Sequence, residues 1–453
     1  MRKPLSFAAG ILATVLFAGA AGVAIGASGR PGPSLTNLAL LNGVIELVQR
    51  DYVKPVGPDQ LTKDALKGML SRLDPHSDYM DESEFKESQS DLSGRFGGLG
   101  IQISAQDGVP KVISPIDDTP ASRAGLAGGD LIVAIDGQST HGIALQKIVR
   151  ILRGSPGTTV KLTISRGAQP PFEVSITRAI IEVPSVKSSM QPNGVGYIRI
   201  TEFGGETSRD FRKAVDKLKQ DSGGKLRGLV LDLRNDPGGL LNAAVEIAGN
   251  FLDGGTVVSI RGRQKTEERT FSAPPKGDIV AGVPVVVLIN GASSSASEIV
   301  AGALQDRRRA VILGTPSFGK GSVQSVIPLE GHGALRLTTA LYYTPAGRSI
   351  QGEGITPDTV VEAPKEQQVA GALMLSENAL SGAFKNPGRL GGGADAAGNP
   401  RKTSSAAAHS PPIKAELIGT PQDAQLKAAL DHIERSTACA GRTTNGMAKA
   451  NCN

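Results

Sequence analysis

An α/β fold divided over several domains is what the order of apolar segments predicts, and three observations carry it. At 453 residues the chain is too long for a single core. Its hydrophobic period changes from helical to strand-like near Phe96. From Ala179 to Pro364 strand-like and helix-like runs alternate, which is the pattern of an α/β layer structure. Charged residues make up 20% and the hydrophobic class 39%, so most of the chain has the composition of a soluble fold. A net charge of +6 and a pI near 9.2 do not by themselves point to nucleic acid. No basic run is interleaved with aromatics, and the cluster Arg307 to Arg309 reads as a helix C-terminus.

In chain order, residues 1–29 come first: Arg2 and Lys3 precede an uncharged stretch from Pro4 to Gly29 rich in Ala, Gly, Leu, Val and Ile. This reads as an export signal or an uncleaved membrane anchor, since roughly 20 apolar residues span a bilayer. "AIGA" at 24–27 supplies a passable small-residue cleavage site. Either fate places the rest of the chain outside the cytoplasm, in the periplasm or cell envelope. Residues 34–95 form a helical region, with Leu38, Leu41, Val44, Leu47 and Val48, then Leu61, Ala65, Leu66, Met69 and Leu73 at helical spacing. "LDPHSDYM" breaks it with Pro75 in a turn, where His76 reads as a hydrogen-bonded turn residue.

Residues 96–178 form a compact module of short strands, "GGLGIQIS", "KVISPI", "DLIVAIDGQ" and "TVKLTISRG", with one helix, "HGIALQKIVRILRG". Residues 179–364 form the α/β body. "GVGYIRI", "GLVLDL" and "VPVVVLIN" are its buried strands, and "LLNAAVEIAGNFL" and "SASEIVAGALQDRRR" its helices. Residues 365–453 are expected to be low-complexity and disordered apart from a short helix, "PQDAQLKAALDHIERS". Cys439 and Cys452, both near the C-terminus, either close a small tail loop or stay free. The five histidines, 76, 141, 332, 409 and 432, show no ligand spacing, so no metal and no cofactor is expected.

Strand "VPVVVLIN" runs through "GASSSASE" into a helix, a turn that exposes a side chain above a sheet edge. On sequence alone Ser293, Ser294, Ser295 and Ser297 cap that helix, or one of them is a nucleophile placed at the positive helix N-terminus. The stretch "FGKGSVQ" bears on the choice. A lysine acts as a general base only when neutral, which burial favours. The segment that follows reads as a strand, so Lys320, Ser322 and Gln324 would share a face, and Gln324 could orient the amine without adding charge.

"NGASSSASEIVAGALQD" followed by "GTPSFGKGSVQ" resembles the signature of the carboxyl-terminal processing proteases, or tail-specific proteases, which are serine–lysine peptidases. The resemblance continues through "LDPHSDYM", "GRFGGLGI", "LVLDLRNDPGGLL" and "TTALYYTPAGRSIQGEGITPD", from about Leu47 to Pro364. It implies a multidomain α/β (α+β) protein: a crotonase/ClpP-like αβ protease core with an inserted PDZ domain and a helical N-terminal region. It also implies Ser295 as nucleophile, Lys320 as general base and Gln324 as the residue that orients it. Backbone N–H groups of Gly238 or Gly239 and of Ala296 inherit the oxyanion hole. Two positions depart from the family pattern. Ser294 stands where alanine is usual, and Asp236 stands where asparagine usually precedes Pro-Gly-Gly.

Within the inserted module, "FGGLGI" followed by "PASRAGLAGGDLIVAIDG" resembles a bacterial PDZ domain, so Gly98, Leu99, Gly100 and Ile101 would offer amides to a peptide's terminal carboxylate. The expected function is an exported serine endopeptidase that binds protein C-terminal tails and cleaves in or near them. Its partners are peptide or protein substrates with free C-termini, not nucleic acid. An activating adaptor or lipoprotein, an N-terminal anchor and a homo-oligomer are compatible with the resemblance. Two rivals stand beside it. A catalytically inactive PDZ scaffold conflicts with the complete Ser295, Lys320 and Gln324 set. A histidine-dependent PDZ protease lacks a histidine in a comparable strand-end motif.

Overall fold

The computed structural model describes residues 35–116, 118–369, 376–389 and 411–444. Among them no helix is long and apolar enough to cross a membrane, and the apolar stretch 4–29 lies outside them. The first helices are α1 (Leu35–Asp51) and α2 (Pro58–Leu70). Helix α1 buries none of its residues, and Leu38, Leu41, Val44 and Leu47 are all exposed. Helix α3 (Glu82–Ser93) starts at a capping box of Asp81 and Glu84 and stops at Gly94, whose φ of 67° only glycine adopts without cost.

The strands Arg95–Gly98 and Ala179–Glu182 pair antiparallel and form a stem. The segment between them closes on itself as a six-stranded sheet, with α4 (Pro120–Arg123) and α5 (Leu145–Leu152) over a core that includes Val112, Ile132, Ile148, Val160 and Leu162. An insertion entered and left through one paired stem can fold without disturbing the chain around it.

In the body, a six-stranded sheet runs in the order Val186–Gln191, Val195–Ile200, Gly228–Asp232, Val285–Ile289, Val311–Gly314 and Thr359–Val360. Every pairing after the first is parallel. Strands Gly228–Asp232 and Val285–Ile289 are buried at every residue, so each face of the sheet needs a cover. Helices α6 (Thr207–Asp221), α7 (Leu241–Gly249) and α8 (Ala296–Asp306) cover one face. There Phe211, Val215, Ile247 and Val300 meet Leu229, Leu231, Val287 and Ile289.

The opposite face is covered by α9 (Ala424–Thr444), a 21-residue helix whose Leu426, Ala429 and Ile433 pack with Tyr197, Val230, Val286 and Leu288. Leaving water stabilises the Leu426 and Ile433 contacts by roughly 1.5 to 3 kcal/mol each. The fit is close enough that a Cβ on Gly228 would lie 2.3 Å from Ile433 Cγ2. The expectation of a disordered tail with a short helix is therefore corrected for segments 376–389 and 411–444. Segments 376–389 and 411–444 carry buried residues, and α9 is longer than the short helix expected. The low-complexity run masks the pattern because it separates the helix from the sheet whose face it completes. Residues 390–410 lie outside the described residues, as does Cys452, while Cys439 falls within α9.

A second, antiparallel sheet joins Asp78–Met80, Ser322–Pro328, Ala334–Tyr343, Thr256–Gly262 and Arg269–Ser272. Met80 pairs with Ala334 and Asp78 with Arg336, which lays the "LDPHSDYM" turn beside Ala334–Tyr343, the strand that also pairs with Ser322–Pro328 after Lys320.

Candidate active site

Strand Val285–Ile289 ends in the turn that starts α8, and the four serines there divide by their partners. Ser293 Oγ donates to Leu233 O at 2.8 Å, and Ser297 Oγ donates to Asp236 O at 3.1 Å. Two hydroxyls remain. Ser295 is the N-cap of α8 and holds φ 54° and ψ −109°, a left-handed conformation that costs a non-glycine residue free energy and that clusters at functional turns. Tyr342, whose phenol is pushed up to about 12 by burial, is hydrogen-bonded with the Ser295 side chain, which opposes that rise.

The glycines around Lys320 are each required. Gly319 has φ +96°, and a Cβ on Gly321 would lie 2.4 Å from the Gln351 amide nitrogen. Together they let the lysine loop run against the neighbouring backbone. Burial lowers the Lys320 pKa; Glu377, Glu298 and Asp74 pull it up, and Arg336 adds to the lowering. Gln324 lies just past Val323, where the pairing register with Ala334–Tyr343 shifts. Its Nε2 donates to Ser322 Oγ at 3.0 Å and to Thr338 Oγ1 at 3.3 Å. The hydrogen bond expected from Lys320 to Gln324 is not among those made by the described residues. Thr338 Oγ1 in turn donates to Asp74 Oδ1 at 3.0 Å, so the "LDPHSDYM" turn braces the glutamine from behind.

Three acidic or phenolic groups were not singled out by the sequence reading. Glu298 is fully buried and bridges the start of α8 to the lysine loop: its Oε2 accepts from Ser295 N at 2.8 Å and from Lys320 N at 2.9 Å. Its place three residues after Ser295, the capping-box position, was the signal available. Glu377 accepts from Gln351 Nε2 at 3.0 Å and lies 2.9 Å from His76 Nε2, so His76 is a hydrogen-bond partner of Glu377 as well as a turn residue. Nothing in the local sequence marks Glu377. Tyr342 is signalled only by its strand.

The glycine turn after Asp236 packs directly on the serine turn. A Cβ on Gly238, at φ +99°, would lie 2.7 Å from Ser294 O and 2.9 Å from Ala296 N; one on Gly239 would lie 2.3 Å from Phe203 O. Asp236 Oδ1 accepts the Gly238 amide at 2.8 Å, and Asp236 O accepts the Ser294 amide at 3.0 Å. Burial raises the Asp236 pKa well above the ordinary carboxyl value. Among the described residues the amides of Gly239 and Ala296 donate to no protein acceptor. No group of three His, Cys, Asp or Glu side chains is gathered there as metal ligands would be.

In the inserted module, Phe96, Leu99, Ile101, Ile103, Val149 and Leu152 line one pocket that also contains Gly98 and Gly100. Gly100 has φ +79°, and a Cβ there would lie 2.3 Å from Thr119 Cβ. Leu99 O and Gly100 O accept from Ala121 N and Ile116 N, while among the described residues the Leu99 and Gly100 amides donate to no protein acceptor. The result is an apolar pocket bordered by free N–H groups, at which an extended peptide end can be held.

Three family models match the chain: peptidase family S41 over residues 194–361, a PDZ domain over 111–166, and an activating protease CtpB N-terminal domain over 26–84. The chain is similar to a carboxy-terminal-processing protease of Bartonella bacilliformis, with 48% identity over 354 residues, which cover 77% of this chain and 80% of that one. It is also similar to the carboxy-terminal processing protease CtpA of Bacillus subtilis, with 34% identity covering 72% of this chain and 69% of that one. Among solved structures, a photosystem II D1 C-terminal processing protease is 28% identical, covering 72% of this chain and 92% of that chain with a TM-score of 0.44.

Proposed function

The chain belongs to peptidase family S41 and is a serine-type, carboxy-terminal-processing peptidase with a PDZ domain, and from that premise we propose that it cleaves exported proteins in or near their C-terminal tails with Ser295 as nucleophile and Lys320 as general base. The observation that carries this reading is that Ser295, at its strained turn, and Lys320, in its desolvated loop, hang from the same carboxylate oxygen of Glu298. Neutral Lys320 takes the Ser295 proton as Oγ attacks the peptide carbonyl. The amides of Gly239 and Ala296 stabilise the oxyanion, because Asp236 already occupies the Gly238 amide. The lysine then returns its proton to the leaving amine, and water releases the acyl group by the reverse path. Gln324, braced by Ser322 and Thr338, turns its carbonyl oxygen to the amine when the base is aligned.

The PDZ pocket takes the substrate's C-terminal residue, with its carboxylate on the Gly98 to Ile101 loop. Residues 1–29 export the chain to the periplasm or cell envelope, as a cleaved signal or as an anchor in the inner membrane. An adaptor or a second copy would act on this assembled enzyme. The deciding experiment compares Ser293→Ala, Ser294→Ala and Ser295→Ala on an unstructured peptide with an apolar C-terminus. Only Ser295→Ala should abolish cleavage while keeping the parent's circular dichroism. Activity that survives in Ser295→Ala and disappears in Ser294→Ala would move the nucleophile to the neighbouring hydroxyl.

A further inference from the structure

Ser295, Lys320 and Gln324 leave a buried acid between them without a role. Glu298 has no exposed surface, yet its two oxygens take four donors. Oε2 accepts the amides of Ser295 at 2.8 Å and Lys320 at 2.9 Å; Oε1 accepts the Gly319 amide at 2.7 Å and Ser317 Oγ at 2.6 Å. Backbone amides only donate. The Ser317 hydroxyl accepts the Ile355 amide at 2.6 Å, so its own proton points to Glu298. An ionised carboxylate satisfies all four donors at once, whereas an amide turns its NH2 toward a backbone N–H and a carboxylic acid fits only if the Ser317 hydroxyl reverses from donor to acceptor. Helix capping accounts for the Ser295 contact alone. The other three donors come from the segment that carries Lys320.

We propose that Glu298 is a positioning residue, whose ionised carboxylate draws the lysine loop onto the start of α8 and so fixes how the Lys320 amine meets the Ser295 hydroxyl. The proposal rests on the serine–lysine reading above. Its consequence follows from where the acid sits. Burial pushes the Glu298 pKa up to about 7, against the bonds from Ser317, Gly319, Ser295 and Lys320. The groups that face it are Lys320 from the loop and Tyr342 across Ser295, with Glu377, Asp74 and Arg336 around the lysine. Two groups must then be free of their dissociable protons for one turnover. On the acid side, log kcat/KM should fall with a slope approaching about 2 per pH unit, where a lone lysine gives about 1.

The test uses the full chain and an unstructured peptide ending in an apolar residue, with kcat and KM measured across the acid limb. The parent should show the steeper slope. Ser317→Ala removes a donor that favours the charged carboxylate, so its acid limb should move to higher pH, with KM unchanged and the alkaline kcat within about threefold of the parent. Glu298→Gln should lose about 100-fold in kcat with little change in KM, since misplacement of the base and not loss of binding is the defect. Its residual acid limb should have the shallower slope. Should Glu298→Gln fail to fold, the parent and Ser317→Ala decide alone. A parent slope of about 1, or a Ser317→Ala limb lying on the parent's, overturns the clamp. Cleavage by Ser295→Ala would instead overturn the reading on which it rests.

Discussion

Lys320, the proposed base, has a proton affinity set by opposing neighbours. Burial and Arg336 lower its pKa, while Glu377 exerts the largest upward pull. Glu377→Gln keeps a side chain able to bond Gln351 and removes that charge, so the Lys320 pKa should fall and the acid limb of kcat/KM should move to lower pH. Gln324→Glu adds a carboxylate on the other side, so the limb should move to higher pH, with activity near neutrality partly recovered in alkaline buffer. Opposite displacements of the two variants are the expected result; shifts in one direction would mean that the measured limb does not report the lysine. The glycine turn gives a sharper expectation. Gly238→Ala would place a Cβ 2.7 Å from Ser294 O on a backbone at φ +99°, so kcat should fall by about 100-fold or more, and a near-normal enzyme would show that this turn does not support the serine.

At the scale of elements, α9 is fastened to the sheet by charge as well as by apolar packing. Arg234 is fully buried and bonded through Nη1 and Nη2 to Asp423, through Nε and Nη2 to Asp232, and to Gln425. Asp423→Ala leaves part of a buried cation uncompensated, so denaturant unfolding should show a loss of about 3 to 5 kcal/mol. Ile433→Ala should cost about 2 to 5 kcal/mol by opening a cavity against the sheet. Losses under about 1 kcal/mol for both would mean that α9 is not part of the cooperative fold. Burial alone would raise the Asp423 pKa, but hydrogen bonds from Arg234 outweigh it and the carboxyl lies below its ordinary value. A depressed folded pKa contributes stability that is present above the unfolded carboxyl value and is lost as pH falls through the folded one. The parent's stability should therefore drop in acid more steeply than that of Asp423→Ala.

Across the whole molecule, the PDZ insertion and the peptidase body are joined by the paired stem Arg95–Gly98 and Ala179–Glu182. The Gly98 to Ile101 loop lies at one end of that stem and the serine turn in the peptidase body. Amidating the substrate's C-terminus removes the charge that the Gly98 to Ile101 loop is proposed to hold. Cleavage should drop, through KM if the domain only docks the tail and through kcat as well if docking aligns the catalytic groups. Equal kcat/KM for acid and amide peptides would take the PDZ domain out of substrate selection.

Much of this was legible in the chain itself, because motifs that depend on local backbone geometry leave local marks. The strand-turn-helix around Ser295, the glycines on both sides of Lys320, the Pro-Gly-Gly turn and the "GGLG" loop each demand particular residues at fixed spacing. The alternation of strands and helices likewise fixed the class of the body. What the tertiary structure alone decided depends on contacts between distant segments. The all-buried strands "GLVLD" and "VVVLI" required a second cover, but only folding showed that α9, beyond a low-complexity run, supplies it. Glu377 reaches the lysine from a segment that carries no motif, and Asp74 braces Gln324 through Thr338 from the opposite end of the chain. Glu298 was visible as a helix cap, yet its three further donors lie 19 to 22 residues away in sequence. Periodicity and turn chemistry act over a few residues, whereas the charge state of a buried group is the sum over every neighbour that the fold brings within reach.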